Sequence, residues 1–299
     1  MIDVSIVIVN YNTRELLKNC LQSIYQMTAD ISFEIIVVDN ASSDDSLLML
    51  ESLYPEVICI ISPSNIGFGK ANNLGVKNAN GEFLLLLNSD TLLIENSVFK
   101  LHNFFVRKET ELSLAVLGCK LINVEGTVMN SGGGFPRVKN DINEYYYLIA
   151  EKLFFKKIKP RDIYDFNKPF FEIDYVIGAD MFMRKSLFLD VNGFDPKFFM
   201  YYEESDLQYH IRKLGFKIYV TTDTQIIHLE GGSTNMVRYS PFKRLINQVS
   251  RNYYFKKNDR KYYPAYIIVD MILNITRIFN RKYTFKDNLN FIINNIKSY

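Results

Sequence analysis

Residues 83–91 read Phe-Leu-Leu-Leu-Leu-Asn-Ser-Asp-Thr, an unbroken apolar run that stops at a polar cluster with a carboxylate in it. A run of this length without alternation is what a strand buried on both faces requires, because water reaches neither side of it. Such a strand belongs in a sheet covered by helices, and open sheets of that kind bind ligands at the carboxyl ends of their strands. Asn88, Ser89 and Asp90 stand at such an end. Positions two apart on an extended segment point the same way, so Asn88 and Asp90 are expected to face one cation or one sugar together. Asn, Ser and Asp are also ordinary turn residues, so the stretch alone equally fits a strand that ends in a turn.

The first ~120 residues repeat this theme. Val4–Val9, Glu34–Val38 and Val57–Ile61 read as further strands. Arg14–Met27, Ser42–Leu53, Lys70–Asn78 and Ser97–Val106 read as helices. In the first helix Leu16, Leu17, Cys20, Leu21 and Ile24 fall at helical spacing, and Thr13 is the expected N-cap. Ser42 or Ser43 is the expected cap of the second. Strands alternating with helices imply βαβ units and a parallel sheet covered on both faces. The strand runs at 4–9, 34–38 and 83–87 stop at Asn10, Asp39 and Asn88, three polar ends on one rim. The first βα turn, Asn10-Tyr11-Asn12-Thr13, has no Gly-x-Gly-x-x-Gly, which disfavours a conventional dinucleotide fold. Gly67-Phe68-Gly69 is a weak glycine signal that also fits a plain tight turn.

Composition removes several function classes. A length of 299 residues allows one large or two modest domains, and a net charge of +2 argues against a nucleic-acid binder that works by bulk charge. Cys20, Cys59 and Cys119 lie far apart in no metal-ligand spacing and are expected to be buried thiols in a reducing compartment. Ser5–Val9 is preceded by an acid and has no basic flank, so no signal peptide is expected. No apolar stretch is long enough for a spanning helix.

Beyond about residue 110 the pattern loosens. Leu114–Leu121, Tyr175–Arg184 and Lys217–Val220 read as strands, Ser131-Gly132-Gly133-Gly134 as a flexible loop, and 241–296 as mostly helical. Residues 140–172, rich in Tyr, Phe and Lys, suit a lid or acceptor loop, or a variable surface insertion.

Two groups carry chemistry. Gly193–Asp206 crowds Glu203, Glu204 and Asp206 among aromatic residues. Crowded acids repel, and burial raises a carboxyl pKa, so the cluster needs a use or a counter-ion. A helix beginning at the acids is the plain alternative, since carboxylates favour the positive end of the helix dipole. Both fit together if the helix start presents one acid into a cleft. His228 ends an apolar run before Gly231-Gly232, where the backbone can approach a phosphate or a metal closely.

Taken together, Val4–Asn12, Ile35–Asp44, Asn65–Asn73, Leu87–Asp90, Gly193–Asp195, Phe199–Asp206 and His228–Thr234 resemble, in order, the motifs of family 2 glycosyltransferases. The nearest resemblance is to the rhamnosyltransferase-like branch that builds bacterial surface polysaccharides. It covers roughly residues 1–240. It implies a GT-A fold, an α/β architecture with a Rossmann-like, mostly parallel central sheet and helices on both faces. It also implies a nucleotide-diphospho-sugar donor (dTDP-rhamnose or a UDP-sugar), Mg²⁺ or Mn²⁺, and inversion at the anomeric carbon. By position, Asp39 looks like the residue that reads base or ribose, with Asn10 and Tyr11 of the neighbouring turn beside it. Asn65, Gly67 and Lys70 would lie near the diphosphate. Asn88 stands where the family's Asp-x-Asp has its first acid, leaving Asp90 as the main charged metal ligand and His228 as an additional one. Glu204 stands at the family's general base, lengthened from Asp by one methylene, so the choice among Glu203, Glu204 and Asp206 stays open.

The expected organisation is a catalytic domain over 1–240 and a C-terminal helical extension over 241–299. In the extension, Lys243, Arg244, Arg251, Lys256, Lys257, Arg260 and Lys261 are interleaved with tyrosines and followed by the apolar stretch Ala265–Phe279. That combination suits an anionic membrane surface, a helical cap on the catalytic domain, or a homodimer contact. The expected protein is a cytoplasmic enzyme, with or without peripheral contact to the inner face of the cell membrane. Its expected acceptor is a saccharide or a lipid-linked glycan. A nucleotidyltransferase and a non-catalytic nucleotide-sugar-binding protein are the competing classes.

Overall fold

A computed structural model of the chain describes residues 2–143, 164–229 and 240–299. These fall into two compact units: 2–134, 164–199 and 203–229 form one, and 135–143, 200–202 and 240–299 form the other.

In the first unit, strands β1 (Val4–Asn10), β2 (Phe33–Asp39), β3 (Ile58–Ile61) and β4 (Phe83–Asn88) lie parallel in the order β3-β2-β1-β4. Helices α1 (Arg14–Met27), α2 (Ser46–Leu53) and α3 (Phe68–Lys77) make the crossovers. Leu85 and Leu87 of β4 share a core with Val4, Ile6 and Ile8 of β1 and with Leu17, Leu21 and Ile24 of α1. On the other face, Val7 of β1 and Val38 of β2 meet α3. That helix comes so close that a Cβ on Gly75 would stand 2.5 Å from Val7 Cγ1. Helices on both faces are what the unalternating runs demand.

The remaining elements are β5 (Thr91–Leu93), α4 (Ser97–Leu112), β6 (Leu114–Ile122), β7 (Gly132–Gly133), β8 (Phe170–Ile173), β9 (Tyr175–Val176), β10 (Asp180–Arg184), α5 (Lys185–Asp190), α6 (Glu203–Lys213) and β11 (Lys217–His228). Of these, β5, β6, β8, β10 and β11 make the far half of the sheet mixed, while β7 and β9 pair in a separate two-stranded sheet. β10 is antiparallel to both β4 and β6, while β11 is parallel to β6 and antiparallel to β5. The β11–β5 pairing sets His228 opposite Thr91, so the end of β11 meets the tip of β4.

Several sequence expectations shift. The second helix begins at Ser46, not Ser42, because Asp45 adopts a left-handed φ of 59° and Asp44 bonds the Arg14 and Ser46 backbone amides. Residues 175–184 form two strands rather than one, and the strand from Lys217 runs on to His228. Cys59 is exposed on β3, while Cys20 and Cys119 are buried. The Ser131–Gly134 stretch serves close approach: Gly132 and Gly133 pair with Val176 and Tyr175, and a Cβ on Gly132 would lie 2.1 Å from Tyr175 O. The expected lid or acceptor loop falls largely on 144–163, outside the described residues, as do Gly231 and Gly232.

The second unit contains α7 (Pro241–Asn258), α8 (Tyr263–Arg277) and α9 (Phe285–Lys297). Ser240 caps α7 with Pro241 at its first position, and Thr284 with Asp287 forms a capping box on α9. Among the described residues no helix is long and apolar enough to cross a membrane.

Candidate active site

The parallel register brings the polar strand ends side by side, Asn10 opposite Asp39 and Val9 opposite Asn88. Asn10 Nδ2 donates to Asp39 Oδ2 at 2.8 Å and to Ser42 Oγ at 3.0 Å, and Asp39 Oδ1 accepts from the Ser42 amide at 2.9 Å. Asp39 is fully buried, and these bonds hold the two adjacent turns in shape. Thr13 does not cap α1 through its side chain. Its hydroxyl donates to Asn10 Oδ1 at 2.7 Å and lies 3.0 Å from Ser89 Oγ, tying the β1 end to the β4 end. Tyr11 projects from this rim, 46% exposed.

The 65–70 turn is held by Asn40, which accepts from the Ile66 amide at 2.9 Å and donates to Asn65 Oδ1 at 3.0 Å. Gly67 has φ +88°, and a Cβ there would stand 2.2 Å from Phe199 O; no other residue fits. The Phe68 amide donates to the same Phe199 O at 2.8 Å. Lys70, in the first turn of α3, is exposed.

Asp90 and His228 meet at the β4 tip. Nε2 of His228 lies 3.3 Å from Asp90 Oδ1, with both side chains nearly buried, and the Leu229 amide donates to Asp90 O at 2.8 Å. Two cis ligands held about 2.1 Å from one ion stand roughly 3 Å apart, so this pair fits a small divalent cation that takes its other ligands from phosphate and water. Among the described residues there is no cluster of three His, Cys, Asp or Glu side chains that could hold a metal ion. The chain turns at Ser89-Asp90, so Asn88 and Asp90 do not lie on one extended segment. The Asn88 backbone instead donates to Ala179 O and accepts from Thr91 Oγ1.

Glu203, Glu204 and Asp206 begin α6 and reach this edge through the Gly67–Gly69 turn: a Cβ on Gly69 would lie 3.5 Å from Glu203 Cβ. The two residues before the helix, Tyr201 and Tyr202, have φ of 72° and 69°. Each left-handed non-glycine residue costs about 1–2 kcal/mol, so this abrupt entry is held against strain. Glu203 and Asp206 are each 3% exposed, whereas Glu204 keeps a solvent-facing edge. Protein crowds Glu204 on its other sides, and this desolvation pushes its carboxyl above the ordinary range. Gln208, one turn on, donates to Val176 O at 2.8 Å and accepts from Val176 N at 2.9 Å, which locks the orientation of α6.

One acid beside the site escaped the sequence reading. Asp180 opens β10, fully buried; Oδ2 accepts from the Cys119 amide at 2.6 Å, while Oδ1 has no hydrogen-bond partner among the described residues. Burial pushes its carboxyl up to about 7 against the opposing hydrogen bonds from Cys119. A lone acid in the apolar run Ala179–Met183 was the available signal. A folded-state pKa raised above the unfolded value disfavours the charged form, so the stability present below pH ~4 is lost as pH rises through about 7. Asp180→Asn is therefore expected to raise the melting temperature at pH 8 and leave it unchanged near pH 4. The gain is up to roughly 4 kcal/mol at about 1.4 kcal/mol per pK unit. Melting curves of both proteins from pH 4 to 8 check this.

A family model for Glycosyl transferase family 2 matches residues 5–191. The chain is 24% identical over 238 residues to the O-antigen biosynthesis protein RfbC of Myxococcus xanthus, covering 77% of this chain and 17% of that protein. It is 27% identical over 220 residues to the low-salt glycan biosynthesis hexosyltransferase Agl10 of Haloferax volcanii, covering 72% and 64%. It is also 27% identical over 235 residues to the rhamnosyltransferase WbbL of Escherichia coli K12, covering 75% and 83%. The chain thus spans less than two thirds of the length of the first two relatives. Among solved structures, S. aureus TarS superposes with a TM-score of 0.55 at 17% identity, covering 99% of this chain and 49% of that one. The mannosyltransferase PcManGT from Pyrobaculum calidifontis, solved with GDP-Man and Mn²⁺, gives 0.55 at 14% identity, covering 99% and 73%. The architecture is the GT-A type expected from the sequence.

Proposed function

Because this chain belongs to glycosyl transferase family 2, we propose that it transfers a sugar from a nucleotide-diphospho-sugar, dTDP-rhamnose or a UDP-sugar, to a hydroxyl of a saccharide or lipid-linked glycan, with inversion. We further propose that it works in the cytoplasm against the inner face of the cell membrane, in cell-surface polysaccharide synthesis. The observation that carries the reading is the pairing of Asp90 with His228 at the end of the buried strand β4, on the edge that α6 also reaches.

In this reading Tyr11 stacks on the base. Asn10 and Asp39 shape the pocket for base and ribose. Asn65 and Gly67 form the turn that admits the diphosphate, and Lys70 with the amino end of α3 meets its charge. Asp90 and His228 would hold Mg²⁺ or Mn²⁺, which supplies charge neutralisation for the departing nucleoside diphosphate. Glu204 takes the proton of the acceptor hydroxyl as that oxygen attacks the anomeric carbon from the face opposite the leaving group. One displacement with one base inverts the centre. Glu203 and Asp206, more deeply buried, support the helix start that aims Glu204.

A panel of dTDP-, UDP- and GDP-sugars tested for Mn²⁺-dependent release of nucleoside diphosphate checks the proposal. Release from one donor class, stimulated by acceptor, is expected. Pyrophosphate release from a nucleoside triphosphate and sugar phosphate would make the chain a nucleotidyltransferase. Saturable donor binding without turnover would make it a binding protein.

A further inference from the structure

The second unit is built with its polarity reversed. The inward positions of α8 are Tyr263, Tyr266, Asp270 and Asn274, and those of α9 are Asn288, Phe291 and Asn295. Asp270, Asn274 and Asn295 bond one another, and Asn288 bonds Arg244 and the Ile278 and Asn280 carbonyls. Asn252 Nδ2 donates to Asn295 Oδ1 at 2.7 Å, Asn295 Nδ2 to Asp270 Oδ2 at 2.6 Å, and Arg277 Nη2 to Asp270 Oδ1 at 2.7 Å. Tyr266 Oη and Gln248 Nε2 both donate to Asn252 Oδ1, at 2.6 and 2.9 Å. Such a network fixes which side of each helix faces in, because turning either helix would strand a buried charge or amide.

The outward sides are apolar. On α8, Ile268, Met271, Ile272 and Ile275 recur at i, i+3, i+4 and i+7, and Phe279 extends the stripe past the helix end. On α9, Phe285, Leu289, Ile293 and Ile296 make a second stripe. These nine side chains are 42–78% exposed. Cations border them: Arg281, Lys282 and Lys286 lie in and just after the connection between the stripes, and all three are exposed. Residues 241–299 carry seven Lys and five Arg against three Asp, a net of +9, while the whole chain carries +2, which leaves −7 on the remainder.

Deepening the membrane placement proposed above, and resting on it, we propose that the α8–α9 face docks on an anionic lipid bilayer, the stripes entering the acyl boundary and the bordering cations meeting lipid phosphates. Apolar side chains turned outward on a helix pair whose polar side is buried suit a surface-lying element, and the basic residues at the connection between the helices read an anionic leaflet. A second copy of this chain would instead bring +9 against +9, and a soluble polyanion would leave the stripes in water.

The test uses the 299-residue chain with no donor or acceptor present, so its outcome is independent of the reading of the site. Sedimentation with vesicles of phosphatidylcholine and phosphatidylglycerol at 7:3 is compared with phosphatidylcholine alone. The wild-type chain is expected to sediment with the mixed vesicles and far less with the neutral ones. The triple variant Ile268→Gln, Ile275→Gln, Phe279→Gln removes exposed apolar groups only. It is expected to keep its melting temperature and to lose at least about tenfold in partition. Three results would overturn the proposal: a wild-type chain that stays in the supernatant, a triple variant that binds as the wild type does, or a wild-type dimer in light scattering that the triple variant abolishes.

Discussion

Glu204→Gln is expected to lower turnover by about 10²–10⁴-fold, the usual contribution of a positioned general base, while the protein melts at the same temperature or slightly higher. The acceptor hydroxyl holds its proton far above neutral pH, so the attacking oxygen needs a carboxylate within reach. Of the three acids at the start of α6, Glu204 alone keeps a solvent-facing edge, whereas Glu203 and Asp206 are buried. Asp206 Oδ1 lies 3.8 Å from His210 Nδ1, on the next turn of the helix. Desolvation holds the Glu204 carboxyl above its ordinary value. The acid limb of the wild-type rate profile is therefore expected above that value, because only the ionised form accepts the proton. The Gln variant should lose that limb altogether. Its fold should not suffer, since an amide removes a desolvated charge from the site. Glu203→Gln and Asp206→Asn, measured alongside, are expected to keep the wild-type limb. If either of them loses it and Glu204→Gln does not, the base has been assigned to the wrong acid.

The rim was legible in the sequence because burial on both faces leaves a simple trace: an apolar run that stops at Asn10, Asp39 or Asn88. Parallel register then aligns those stops without further information. The contact between Asp90 and His228 was expected from resemblance, but its structural cause was hidden. It depends on β5, three residues long, pairing with the end of a strand read as stopping at Val220. No local pattern reports a short pairing across so long a separation. Glycines misled in the other direction: Gly132 and Gly133 read as flexibility, yet they permit two backbones to touch. Asp180 was passed over because one acid in an apolar strand does not disturb its periodicity. The tail shows the deepest limit of pattern reading. Its apolar spacing announced helices correctly, but spacing alone does not say whether the apolar side or the polar side is the interior. The hydrogen bonds of Asp270, Asn252 and Asn295 decide that question.

Asp90→Ala is expected to abolish Mn²⁺ stimulation and to reduce donor turnover by at least about 10²-fold, since charge neutralisation at a leaving diphosphate is worth several kcal/mol. Asp90 sits at the turn after the buried β4 run, and its carboxylate faces His228 at 3.3 Å. Its backbone oxygen meanwhile accepts from the Leu229 amide at 2.8 Å. The second contact survives truncation of the side chain, so the junction of β4 and β11 should stay closed and the melting temperature should fall by little. Binding separates the proposed ligand from a merely structural acid. Wild-type protein should show a thermal shift with Mn²⁺ and nucleoside diphosphate together that exceeds the shift with nucleotide alone. Asp90→Ala should retain the nucleotide shift and lose the metal-dependent increment. His228→Ala should reduce that increment without abolishing it, because a neutral imidazole contributes a ligand but no charge. A metal-dependent increment that persists unchanged in Asp90→Ala would move the cation away from the β4 tip, and the chemistry assigned to this edge would move with it.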